Sequence, residues 1–234
     1  MISFQDLSPA SNVGEIAANL PGAAALFRKA GISFCCGGDL SVAEASAKRG
    51  RDVTEIVAGL KALAADVDRS APQETAELIA HIQDRYHDAH RRELADLIPL
   101  ARKVEAVHGD KPDVPHGLAN LLAEFLVELE SHMLREEQAL FPIMLNGGHP
   151  TIDDPIAVIR AEHEGHADQL RALEHITHGF ALPDGACRSW HALYAGAGKF
   201  ADDLVVHIHL ENDVLFPRFE GANGDQANSH VSAV

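Results

Sequence analysis

From Leu118 to Leu140 one stripe of the chain can be followed in steps of three and four: Leu118, Leu122, Phe125, Leu129, His132, Glu136, Leu140. It is apolar before His132 and apolar again after Glu136. A later stretch repeats the pattern with Leu193, Ala197, Phe200, Leu204, His207, Glu211 and Leu215. A period near 3.6 residues aligns such positions on one face of a helix, and an apolar face turns towards a core. Each His-x-x-x-Glu pair is therefore expected to point into the protein interior.

The same periodicity predicts four long helices, over about 74–108, 115–146, 154–178 and 184–219. Pro115 and Pro155 suit first-turn positions, and Pro99 marks an expected kink. The loops between these helices are short, so neighbouring helices should run antiparallel in an up-down-up-down four-helix bundle, here over 76–220. Residues 1–66 read as a small helical unit. Ser41 with Glu44, and Asp52 with Glu55, have the spacing of capping boxes, while Gly31 and Gly50 sit where helices should stop. A polar stretch with Pro72, residues 67–75, reads as a linker, and 221–234 as a disordered tail. No strand-like alternation occurs, so the expected class is all-α.

Composition narrows the partners. The formal net charge of −16 argues against nucleic acid or an anionic membrane surface, both of which select basic faces. The first ten residues lack the basic region and apolar core of a signal peptide, and no apolar run approaches a membrane span. Three cysteines, two of them adjacent, do not make a disulfide framework. The expectation is a cytoplasmic protein.

The inward-facing pairs raise an energetic problem. A buried carboxylate without compensation costs several kcal/mol or more, on the order of what a whole domain has in reserve. Either a histidine–glutamate ion pair or a metal ion must offset it. At i, i+4 the imidazole and the carboxylate lie one turn apart and can reach a common centre. The third helix offers His163 on the stripe Ile156, Ile159, His163, Ala167, Leu170, with His166 at its edge. The first offers His81, His87 and His90, of which the stripe favours His87 or His90. Four imidazoles and two carboxylates suit a two-metal site, of iron or manganese with zinc as a further option. The sequence EHEGH at 162–166 is not the zinc-protease motif, because only two residues separate its histidines.

The two HxxxE…LFP segments, with RYHDAH at 85–90 and AEHEGH at 161–166, resemble a hemerythrin-like di-iron domain. Together with LFRKAGISFCCGGD at 26–39 they resemble, over about residues 5–220, the repair-of-iron-centres family of YtfE/ScdA-type iron–sulfur cluster repair proteins. The resemblance implies as metal ligands His87, His132, Glu136, His163, His207 and Glu211, with both glutamates bridging. It implies two iron ions in a non-haem, oxo- and carboxylate-bridged centre. It also implies a role in restoring iron–sulfur clusters damaged by nitrosative or oxidative stress, by supplying iron to damaged or apo iron–sulfur proteins. The alternatives are a nitric oxide reductase or other nitrogen-oxide-processing enzyme, and a sensor of oxygen or nitric oxide. The motifs do not separate donor from enzyme. They leave open whether the two units touch within one chain or across a homodimer.

Three further residues stand out. Glu128 lies one turn above His132 and is expected to line an access route to the centre. Cys35 and Cys36, beside Gly37 and Gly38, are expected to be transfer thiols, because adjacent cysteines close a disulfide only through a strained ring. Cys187 reads as a packing residue.

Overall fold

The computed structural model describes residues 7–32, 34 and 39–220, with the backbone alone at 67–70. Cys35, Cys36 and the segment 221–234 lie outside the described residues.

The N-terminal unit comprises α1 (Val13–Asn19), α2 (Ala23–Ala30), α3 (Val42–Lys48) and α4 (Val53–Ser70). Its helix ends follow local chemistry. Ser41 and Glu44 form the reciprocal capping box that opens α3. Asp52 caps α4 by accepting from the Thr54 N–H. Gly31 closes α2 at φ 72°, a left-handed conformation that suits a residue without a side chain. These helices enclose an apolar cluster built on Val13, Ile16, Phe27, Ile32, Val42 and Leu60. α4 runs on to Ser70, so the connection to the next helix is four residues, 71–74, shorter than the stretch 67–75 suggested.

The remainder is helical: α5 (Thr75–Ile82), α6 (Asp88–His108), α7 (Leu118–Arg135), α8 (Phe141–Leu145), α9 (Asp153–Ile176) and α10 (Arg188–His209). α6 packs on α7 and α10, and α7 packs on α9. The fold is all-α, and among the described residues no strand occurs beyond an isolated bridge between Asn12 and Ser41. None of the described helices is long and apolar enough to cross a membrane.

Pro99 lies inside α6, which remains helical on both sides of it. Three wide π-helical turns interrupt the bundle, at Gln83–His87, Glu136–Leu140 and Leu210–Leu215. Each is closed by a bond across five residues: Asp88 N–H to Gln83 O, Phe141 N–H to Glu136 O, and Phe216 N–H to Glu211 O. Such turns insert one residue and re-aim the side chains around them, which is why they gather at functional sites.

Two apolar clusters fill the bundle. One holds Leu94, Leu122, Phe125, Leu129, Phe200 and Leu204. The other holds Ile82, Tyr86, Leu140, Phe141, Ile159, Leu215 and Phe216. The polar layer between them contains the inward-facing histidines and glutamates.

Candidate metal centre

Every residue of the stripes predicted over 118–140, 156–170 and 193–215 is buried, including His132, Glu136, His163, His207 and Glu211. His87 is fully buried as well, and it is this histidine, not His90, that joins the cluster. His81 is only partly buried and meets Tyr86 edge-on at 5.6 Å between centroids.

The six residues assemble as two overlapping sets that share both carboxylates. One set is His87, His207, Glu136 and Glu211; the other is His132, His163, Glu136 and Glu211. Within each set one donor atom per residue lies within 4.8 Å of the others. The two oxygens of each glutamate are divided between the sets. Glu136 turns Oε2 to His87 Nε2 at 3.5 Å and Oε1 to His132 Nε2 at 3.4 Å. Glu211 turns Oε1 to His207 Nε2 at 3.0 Å and Oε2 to His163 Nε2 at 3.1 Å. The paired imidazoles face each other through Nε2, at 3.1 Å for His87 and His207 and 3.0 Å for His132 and His163.

The outer nitrogens fix the ring orientation. The Nδ1–H of His87 donates to Glu137 Oε1 at 2.7 Å, that of His132 to Glu162 Oε2 at 2.8 Å, and that of His163 to Asn212 Oδ1 at 3.0 Å. A carboxylate or an amide oxygen can only accept, so these rings carry their proton on Nδ1 and turn the Nε2 lone pair inward. Arg91 in turn holds Glu137 through bonds of 3.0 and 3.2 Å, and Arg135 holds Glu162.

The repeated motif is explained by these contacts. In each copy the histidine and glutamate enter the centre. The next residue, Glu137 or Asn212, orients the imidazole of a helix that supplies one histidine. The phenylalanine of Leu-Phe-Pro then covers that same ring: Phe141 on His87 with centroids 5.8 Å apart, Phe216 on His163 at 6.2 Å. The residues preceding the single histidines also correspond. Glu162 bonds to His132, whereas Tyr86 stacks on His207 at 5.9 Å. The His207 Nδ1 has no partner.

Electrostatics shows what this arrangement lacks without an ion. Burial, then the facing Glu211, push the Glu136 carboxyl well above the usual carboxylate range. Burial also opposes charge on Glu211, but His207 and His163 outweigh it and hold that carboxyl well below the range. Both Glu136 oxygens are buried without a hydrogen-bond partner, and Glu211 Oε2, close as it is to His163, makes no aligned bond. Burial lowers His132 and His207, which favours neutral, metal-competent rings. Orphaned carboxylate oxygens facing neutral imidazole lone pairs are the donor set that a divalent cation satisfies, and two nitrogens about 2.1 Å from one ion at a right angle would lie about 3 Å apart, as here.

The comparisons agree with this geometry. The profile of the Hemerythrin HHE cation binding domain matches residues 78–219. That of ScdA_N, described as a domain of unknown function, matches residues 10–64. The chain is 43% identical over 212 residues to the iron–sulfur cluster repair protein YtfE of Pectobacterium carotovorum, covering 88% of this chain and 95% of that protein. The chain belongs to the YtfE family of iron–sulfur cluster repair proteins. Identity is 45% over 221 residues to YtfE of Citrobacter koseri, covering 93% and 98% of the two chains. It is 46% over 210 residues to YtfE of Escherichia coli O1:K1, covering 88% and 94%. As in the matched hemerythrin-type domain, the histidine–glutamate cluster is a metal-binding site.

The remaining candidates lie around this centre. Glu128 is exposed on α7, and its carboxylate accepts from the Gln169 side-chain amide at 2.8 Å. Cys187 packs partly buried against the larger apolar cluster, as expected, and also meets His108 Nε2 at 3.1 Å. That bond is the main cause lowering its thiol to about 7. Sequence reasoning did not find the supporting roles of Glu137, Glu162 and Asn212. For Glu137 and Asn212 the signal was the acidic or amide residue that follows the glutamate in both copies of the motif; Glu162 stands outside the motif, directly before His163.

Proposed function

We propose that His87, His132, Glu136, His163, His207 and Glu211 hold two iron ions, bridged by the two glutamates, and that the chain supplies this iron to damaged iron–sulfur clusters. The observation that carries the reading is the division of oxygens: each glutamate presents one oxygen to each histidine pair. Mixed nitrogen and oxygen donors without thiolate suit ferrous and ferric iron. Bound there, the ions would supply Lewis acidity and coordination positions for small ligands such as nitric oxide or oxygen. The chain's own groups orient and screen: Glu137, Glu162 and Asn212 fix the rings, while Phe141, Phe216 and Tyr86 keep water from their faces.

The relatives named for iron–sulfur cluster repair support the same role for this chain, with damaged or apo iron–sulfur proteins as partners and nitrosative or oxidative stress as the setting. The division into an N-terminal unit carrying Cys35 and Cys36 and a metal-binding bundle belongs to this reading. The two thiols are assigned to transfer between bundle and client.

The test is to incubate the iron-loaded chain with an apo iron–sulfur protein under anaerobic conditions, supplying sulfide and thiol. Loss of iron from the chain that matches cluster gained by the apo protein supports donation. Iron that stays bound, with catalytic consumption of nitric oxide given an electron donor, would replace donation by the enzyme reading.

A further inference from the structure

Each half of the centre has a third buried histidine at an equivalent place, three residues after a ligand: His90 after His87, and His166 after His163. The two differ in what they touch. His90 is walled in by rings, with His207 at 5.4 Å, Phe200 at 5.3 Å and Tyr86 at 6.3 Å between centroids, and neither of its nitrogens has a partner. His166 lies 5.1 Å from His132, close to the 4.8 Å that separates the ligand rings His132 and His163, and 6.5 Å from His163.

His166 alone of this pair is connected to the surface. Glu128 can only accept, so the Gln169 amide nitrogen faces it at 2.8 Å, and the Gln169 oxygen therefore faces His166 Nδ1 at 3.2 Å. That oxygen fixes the proton of His166 on Nδ1. Its Nε2 is left as a lone pair, buried and without a partner, on a residue only 3% exposed. His87, His132 and His163 share this oxygen acceptor on Nδ1. His166 is not one of the six residues whose donor atoms cluster.

Resting on the di-iron reading, we propose that His166 is a seventh, transit donor for the ion held by His132 and His163, and that this ion leaves first, by way of His166, Gln169 and Glu128. The step exchanges one neutral or anionic donor for another on a ferrous ion and moves no electrons. Imidazole nitrogen, amide oxygen and carboxylate are all donors that ferrous iron accepts. The His87/His207 ion has no such path, because its third histidine ends among aromatic rings. A donor protein gains from this inequality: one ion is released while the other keeps both carboxylates ordered.

The test follows release of ferrous iron from the full-length, fully reduced protein to a ferrous chelator. Metal content is measured first for wild type, His166→Phe, Gln169→Leu and His90→Phe. The expectation is that all four hold about two irons, that wild type releases them in two phases, and that His166→Phe and Gln169→Leu slow the fast phase on the order of tenfold, the change expected when the leaving ion loses a donor worth about 1.4 kcal/mol in its exit barrier. His90→Phe leaves the fast phase unchanged. A single phase in wild type, an unchanged fast phase in His166→Phe, or equal slowing by His90→Phe would overturn the path. If His166→Phe held only one iron, His166 would be a resident ligand and the transit role would be wrong. A wild type that binds no iron would overturn the metal reading itself, and the path with it.

Discussion

At the residue scale the shared carboxylates make the two halves of the centre interdependent. Replacing Glu136 by alanine removes an oxygen donor from both, so iron content should fall from about two to below one per chain, measured by metal analysis after anaerobic loading. Asn212→Ala touches no ion but frees the His163 ring. It should weaken iron binding by about 10–100-fold while leaving helical content intact, and unchanged affinity would show that Asn212 does not position that ligand. A third residue reports on the docking of the two units. Arg28 of α2 donates to Glu174 of α9 at 2.7 Å, yet burial lifts the Glu174 carboxyl from 4.5 to about 7 against that pull. Between these values the folded chain keeps a proton that the unfolded chain has released. The contribution to stability is therefore full below the unfolded value and lost as pH rises through about 7. Glu174→Gln should flatten this part of the profile, read as urea midpoints at about pH 5 and about pH 8, and an unaltered slope would contradict it. The inward phase of His132, Glu136, His207 and Glu211 was legible from periodicity alone. The choice of His87 over His90 was not, because both lie on the apolar stripe and both are buried. The family resemblance points to His87, and in the structure it is His87 that meets Glu136, His207 and Glu211.

At the element scale the helices were readable, and their wide turns were not. Gly31, Ser41 and Asp52 mark helix ends through backbone and side-chain chemistry that operates within a few residues. The π-helical turns at 83–87, 136–140 and 210–215 depend on what the side chains meet across the bundle, and no local propensity encodes them. Pro99, read as a kink, lies inside α6, which stays helical past the missing N–H. The elements also predict separable effects. Ser41→Ala removes the α3 capping box and should cost about 1 kcal/mol without changing iron content. Phe125→Ala empties a fully buried position that packs edge-on against Phe200 at 5.3 Å. A loss of about 3–5 kcal/mol is expected in denaturant titrations, against less than 1 if the cluster closed over the gap.

For the whole molecule, two apolar clusters enclose a polar layer that none of the surrounding carbon can satisfy. The fold supplies the rigidity that holds six donors in register, and the cluster supplies the reason for burying them. That layer was visible in the sequence as a doubled motif, whereas the contact between the N-terminal unit and the bundle was not, since Arg28 and the two carboxylates it pairs with, Glu174 at 2.7 Å and Asp202 at 3.3 Å, share no pattern. The measurement that bears most directly on the account is metal identity and content per chain after anaerobic purification, read with Mössbauer and optical spectra. About two irons per chain, coupled as a carboxylate-bridged pair, is the predicted result. Zinc, a single ion or no metal at all would contradict it.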